Sequence, residues 1–183
     1  LWDPALARDL LELIVRRRRL RGEHGTISTT ARRPLRTMAS KGDTEWPEPT
    51  NLRAEQRNSS VIFGDSLILK TFRRLQAGIQ PDLEVGTALA DSGSYQHTAE
   101  VLGSVEYQSP AFGRETVTVA LLHAYVLHDS DAWDYTLDQL DSYLERALTT
   151  QSPFDQRDVR PASLLALAAE ETPDDAQRMI RSY

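Results

Sequence analysis

Cysteine is absent from the 183 residues. That excludes disulfides, thiolate metal sites and thiol chemistry, and it suits a reducing, cytoplasmic setting. No apolar run reaches the ~18 residues that a membrane-spanning helix needs, so no membrane partner is expected. The opening "LWDPALARDLLELI" puts acids where a secretory signal carries its basic region, and no small-residue cleavage site follows. An initiating methionine is also missing, as expected of a piece processed or excised from a longer chain. Four scattered histidines have no metal-ligand spacing such as H-E-x-x-H. Neither a G-x-S-x-G elbow nor a Walker A loop occurs, and no internal repeat or low-complexity tract is visible.

What is present is acidic but uneven. The net charge is −6 and the pI about 5.2, a balance against a general nucleic-acid role. "RRRRLR" at 16–21, with Arg32, Arg33 and Arg36, nevertheless makes the first forty residues basic. A length of 183 residues suits one domain or two small lobes.

Local signals divide the chain into elements. Asp3 is a good N-cap and Pro4 suits the first helical position. Leu6, Leu10, Leu11, Ile14 and Val15 then predict an amphipathic helix over 3–19, with the arginines in its last turn complementing the dipole. Residues 22–50 read as a polar insert, in which 42–51 is a loop and Trp46 an anchor. "SSVIFGD" and "SLILKTF" predict two strands joined at Gly64-Asp65. "PDLEVGTALAD" (81–91) predicts a helix packing through Leu83, Val85, Leu89 and Ala90. Strands follow at 99–109 and 114–126, around a turn at 110–113. A helix over 131–148, capped by Asp131, carries a stripe of Trp133, Leu137, Leu140, Tyr143, Leu144 and Ala147. A polar loop at 149–160 and two helices, near 161–171 and from Thr172 onward, complete the reading. The fold class is α+β, a mostly antiparallel sheet with packed helices.

One constellation points to chemistry. A nucleotide-binding kinase lobe needs a strand lysine for phosphates and a glutamate on the next helix to hold it. Lys70 ends an apolar strand, and Glu84 lies in the following helix. Asn58, Ser59 and Ser60, just upstream, offer amide, hydroxyl and backbone donors to phosphate, although the segment is not glycine-rich. The carboxylates at 129, 131 and 134 suit a helix start. Tyr107, Phe112 and Trp133 read as core or interface residues.

"RAEQRNSSVIFGDSLILKTFRRLQAGIQPDLEVGTALAD" (53–91) resembles the N-terminal lobe of bacterial maltokinases, and "HDSDAWDYTLDQLDSYLERAL" (128–148) resembles the stretch after that family's interlobe hinge. Those enzymes phosphorylate maltose with ATP, and many are fused to trehalose synthase. The resemblance implies an aminoglycoside-phosphotransferase-like, kinase-like lobe at 51–128, a shortened cap at 1–50, and the start of a truncated C-terminal lobe at 129–183. It implies that Lys70 contacts ATP phosphates with Glu84 as its ion-pair partner. It implies a phosphate-side loop at 57–60, and a hinge beside adenine from His123 through Tyr125 to Val126. Arg57-Asn58-Ser59-Ser60 stands where the family commonly has Ser-Asn-Thr-Ser, and Ser130-Asp131 where it has Gly-Asp.

By the same resemblance the catalytic aspartate, a Mg²⁺-holding acid and the maltose site belong to the missing C-terminal lobe. None of His24, His97, His123 or His128 begins a His-x-Asp motif. No catalytic or metal-binding residue is therefore expected in this chain, which should be inactive alone. ATP and Mg²⁺ would serve the full-length parent, an ATP-dependent maltose 1-phosphotransferase whose further partner is a trehalose synthase domain in cis or trans. A non-catalytic binding or assembly module attached to a trehalose synthase is the alternative.

Overall fold

The computed structural model describes residues 3–40, 46–52, 58–93, 97–113 and 115–149, and beyond these Ala169, Glu171, Asp174 and Gln177 alone. Two compact units divide at Leu127/His128. In the first, α1 (Pro4–Val15), β1 (Arg19–Arg21), β2 (Thr26–Ala31), α2 (Arg33–Ala39), β3 (Pro49–Leu52), β4 (Asn58–Phe63), β5 (Leu67–Phe72), α3 (Pro81–Ser92), β6 (Val101–Gln108) and β7 (Thr116–Ala124) follow one another. A 3-10 turn at Pro110–Phe112 joins the last two strands. The strands form one sheet in the order β1-β2-β6-β7-β5-β4-β3, and every neighbouring pair is antiparallel. This is the α+β architecture that the pattern of elements predicts. Residues 3–52 contribute three of the seven strands and share the core of those that follow.

α1 begins as its sequence dictates. The Asp3 carboxylate accepts the Ala5 N–H at 2.9 Å, and proline opens the helix. The helix stops at Val15, four residues short of expectation, so the arginine run does not fill its last turn. Arg17 turns left-handed with φ 51°. Its N–H donates to the Ile14 carbonyl, and that of Arg18 to Leu13, both at 3.0 Å. This is the closing pattern that usually places glycine at the left-handed position. The reversal lets Arg19–Arg21 pair with β2 at the sheet edge. Arginine's good helix propensity yields here to strand pairing.

The polar insert at 22–50 holds β2, α2 and the start of β3, the last within the stretch 42–51 read as loop. Short elements of this kind carry too few residues for periodicity to register. Trp46 does pack against the core as an anchor. Ala7, Leu11 and Ile14 of α1 and Leu35 of α2 are buried against Val61, Phe63, Leu67, Leu69, Val105, Ala120 and Leu122 of the sheet. Leu6 faces solvent instead. Each fully buried Leu or Ile contributes ~1.5–3 kcal/mol. Gly103 makes the close approach possible: a Cβ there would lie 2.5 Å from both Ile14 Cγ2 and the Thr30 carbonyl oxygen.

The second unit contains α4 (Ala132–Thr149). Asp131 caps it by accepting the Asp134 N–H at 2.8 Å. Trp133, Leu137, Leu140 and Leu144 share one face, as their spacing predicts, but all are exposed, Trp133 at 69%. Trp133 is therefore not a core residue of its own unit. The Ala147 side chain, the expected loop at 149–160 and the expected final helices lie largely outside the described residues. No described helix is long and apolar enough to cross a membrane.

Candidate functional site

Side chains alternate across a strand, so register decides which residues share a face. Leu67, Leu69 and Thr71 of β5 point to the α1 side, and Ile68, Lys70 and Phe72 to the other. Lys70 lies opposite Ser60 on β4 and Leu121 on β7. Ser60 lies opposite Leu52, Leu121 opposite Ser104, and Ser104 opposite Thr30. One row thus crosses six strands on the Lys70 face. Asn58, two residues from Ser60, shares that face beside Phe72. Ser59 does not. It pairs with Thr71 on the opposite face, a correction to the expected trio of phosphate donors. The sequence held this signal, because the turn at 64–66 sets Phe63 opposite Leu67 and fixes every later pair. Residues 58–60 are strand rather than loop, and Arg57 lies outside the described residues.

The Lys70 ammonium donates to Asp82 Oδ2 at 2.8 Å, with the lysine side chain 26% and the aspartate 44% exposed. It also stands 5.9 Å from the centroid of Phe72, within cation–π range. The expected partner, Glu84, is not the partner observed. Two positions on a helix differ by roughly 200°, so one carboxylate of this turn can face the sheet and the other cannot. Sequence spacing shows that carboxylates occupy the first turn; the phase of α3 against the sheet selects between them.

α3 is placed by short contacts, with none of its residues fully buried. Buried Thr118 on β7 accepts the Gln80 N–H through its hydroxyl at 3.2 Å. Gln80 Oε1 then accepts the Asp82 N–H at 2.6 Å, capping the helix. Farther along, a Cβ on Gly86 would stand 2.6 Å from Val101 Cγ2, so this glycine lets the helix backbone settle on β6. Leu83, Leu89 and Ala90 are half-buried as predicted, whereas Val85 is exposed.

His123 lies opposite Ile68 and Val101, on the Lys70 face. Its Nδ1–H donates to the Ala99 carbonyl at 3.4 Å, which leaves Nε2 as the acceptor of the neutral ring. Burial is the largest influence on it and lowers its pKa below 6.5; the Lys70 charge acts in the same direction, and the Ala99 bond and Asp82 oppose them. The neutral imidazole therefore adds no second positive charge beside Lys70 at neutral pH. Tyr125 follows the strand and donates its N–H to the Ser66 carbonyl at 2.8 Å; Val126, next along, is exposed. Nearby on the sheet, Ser104 is fully buried and lies 2.7 Å from the Thr30 hydroxyl and 3.1 Å from Glu106 Oε1. Tyr107 and Phe112 pack edge to face with centroids 6.4 Å apart, as expected of packing residues.

An ammonium has three donors, and Asp82 occupies one. Among the described residues no second hydrogen-bond acceptor is seen for it, and the remaining donors can meet an anion approaching this face. Among the described residues, no group of three or more His, Cys, Asp or Glu is placed to hold a metal ion.

No family model matches the chain. Two solved structures resemble it in part. One is a glucosamine kinase in its crystal form B, with 21% identity over 78% of this chain and 31% of that one, at a TM-score of 0.44. The other is a glucosamine kinase in complex with glucosamine, ADP and inorganic phosphate, with 16% identity over 72% of this chain and 40% of that one, at a TM-score of 0.42. The chain thus spans less than half the length of either kinase it is similar to.

Proposed function

We propose that this chain is the nucleotide-side portion of an ATP-dependent sugar kinase of maltokinase type. The carrying observation is the Lys70 ammonium, fixed on a central strand at 2.8 Å from Asp82 in the first turn of the next helix. The resemblance of residues 53–91 and 128–148 supports the same reading. Lys70 holds the negative oxygens of the nucleotide phosphates, and Asp82, in the place expected of Glu84, keeps the ammonium aimed. Asn58 and Ser60 are the upstream polar groups on that face. Tyr125 and Val126, beyond the end of β7, are the backbone positions proposed to read adenine.

Phosphoryl transfer also needs Mg²⁺ and an aspartate beside the sugar hydroxyl. No described cluster fits a metal, so no transfer step is assigned to these residues. In this reading the metal, the catalytic aspartate and maltose are held by the continuation of the parent protein. A trehalose synthase domain, in cis or trans, is its proposed partner.

The test is titration of a fluorescent ATP analogue into the folded chain and its variants, together with turnover of the whole gene product on ATP and maltose. Hydrogen bonds to charged groups are worth ~1.5–3 kcal/mol. Lys70→Met should therefore weaken binding about tenfold or more and remove most turnover from the parent. Equal binding by Lys70→Met and the unsubstituted chain overturns the assignment of Lys70. A folded chain and parent that bind no nucleotide overturn the kinase reading and leave the non-catalytic assembly module.

A further inference from the structure

α3 carries Asp82 at one end and Asp91 at the other, and both are used. Asp91 Oδ1 accepts a hydrogen bond from an Arg32 guanidinium nitrogen at 2.5 Å. Arg32 has a rigid base. It stands at the N-cap position of α2, whose Leu35 is fully buried, without a side-chain capping bond, and its N–H donates to the Leu102 carbonyl on β6 at 2.8 Å. Its Nε is buried without a hydrogen-bond partner among the described residues.

The helix between these ends is lightly seated. None of its residues is fully buried; at Gly86 its bare backbone meets the Val101 side chain, and just before Asp82 the Gln80 N–H bond to Thr118 ties its start to β7. Gly86 is four residues from Asp82 and five from Asp91, about 6 Å and about 7.5 Å along the axis. Treated as a lever about Gly86, the helix strains the Gln80–Thr118 bond when it tilts. A tilt that moves Asp91 by about 1 Å moves Asp82 by about 0.8 Å in the opposite sense, at the rise per residue of a helix. Added to the 2.8 Å Lys70–Asp82 separation, that is enough to take the bond past its working range.

We infer that Arg32 is a positioning residue for the Lys70 site: through Asp91 it sets the tilt of α3, and through that tilt the Lys70–Asp82 pair. The N-terminal segment thereby regulates whether the strand lysine is held or free. The consequence for nucleotide affinity rests on the function proposed above; the mechanical coupling does not.

The experiment uses the 183-residue chain with Asp91→Asn, Arg32→Met, Arg32→Lys and the charge swap Arg32→Asp/Asp91→Arg. Two readouts need no ligand: deuterium uptake by peptides covering 81–92, and the rate at which an amine-acylating reagent modifies Lys70. Asp82→Asn sets the ceiling for a freed lysine. In Asp91→Asn and Arg32→Met, uptake at 81–84 and acylation of Lys70 should rise about twofold to fivefold, as for loss of a partly exposed ion pair. Peptides of β5 and β7 should not change, and Arg32→Lys and the swap should restore most of the protection. The inference is overturned if Asp91→Asn, whose side chain is 63% exposed in the native chain and should not disturb folding, leaves both readouts at 81–84 and Lys70 unchanged. An analogue titration separates the two claims. A freed Lys70 with unaltered nucleotide affinity supports the lever and counts against the nucleotide reading.

Discussion

Asp82 and Glu84 offer a matched pair of perturbations. Both lie in the first turn of α3, so each loses a similar favourable interaction with the helix dipole when neutralised, ~0.3–0.5 kcal/mol at an exposed site. Only Asp82 also touches Lys70, at 2.8 Å. At that separation the gross attraction is about 1.5 kcal/mol in water and about 6 kcal/mol at a surface-like dielectric of about 20. Desolvation and side-chain ordering remove most of it, leaving ~0.5–1 kcal/mol for a pair this exposed. Asp82→Asn should therefore cost about 1 kcal/mol and Glu84→Gln about 0.3 kcal/mol. In urea, with a slope of ~1.5 kcal/mol/M for a unit of this size, the two midpoints should differ by about 0.3–0.7 M. Lys70 acylation should accelerate in Asp82→Asn alone. Equal midpoints, or faster acylation in Glu84→Gln, would refute the claim that helix phase singles out Asp82.

Other consequences of the fold can be checked in the same apparatus. Arg17→Gly relieves a left-handed arginine and should stabilise by about 0.5–1 kcal/mol, whereas Arg17→Ala, as strained as the original, should not; paired thermal melts distinguish them. Gly103→Ala drives a methyl to 2.5 Å from Ile14 and Thr30 and should cost about 1–3 kcal/mol in urea unfolding, unless α1 moves. The folded-state pKa of His123 is depressed by burial, so the unfolded chain binds the proton more readily. Stability should then be complete above about pH 6.5 and fall as pH drops from there through the folded pKa. His123→Gln should flatten that part of the profile, and a slope left intact would assign the loss to another group.

Caps, turns and periodicity act within a few residues, and these features are legible in the sequence. Asp3-Pro4 started a helix, Gly64-Asp65 joined two strands, Pro81 opened α3 and Asp131 capped α4. The α+β class and the placing of Lys70 on a strand before a helix came from the same local signals. Tertiary structure decided the rest. The arginines of 16–21 left the helix because β2 offered their backbone a ladder, a partner that no local propensity contains. Asp82 displaced Glu84, and Arg32 met Asp91 across 59 residues. Such contacts depend on the phase of a helix against a sheet, which here is held where Gly86 meets the Val101 side chain and where Gln80 bonds to Thr118. Local sequence signals determined α1, β4 to β7, α3 and α4 and the charged residues they carry; only the packed sheet determined the short elements between α1 and β4 and which charges face one another.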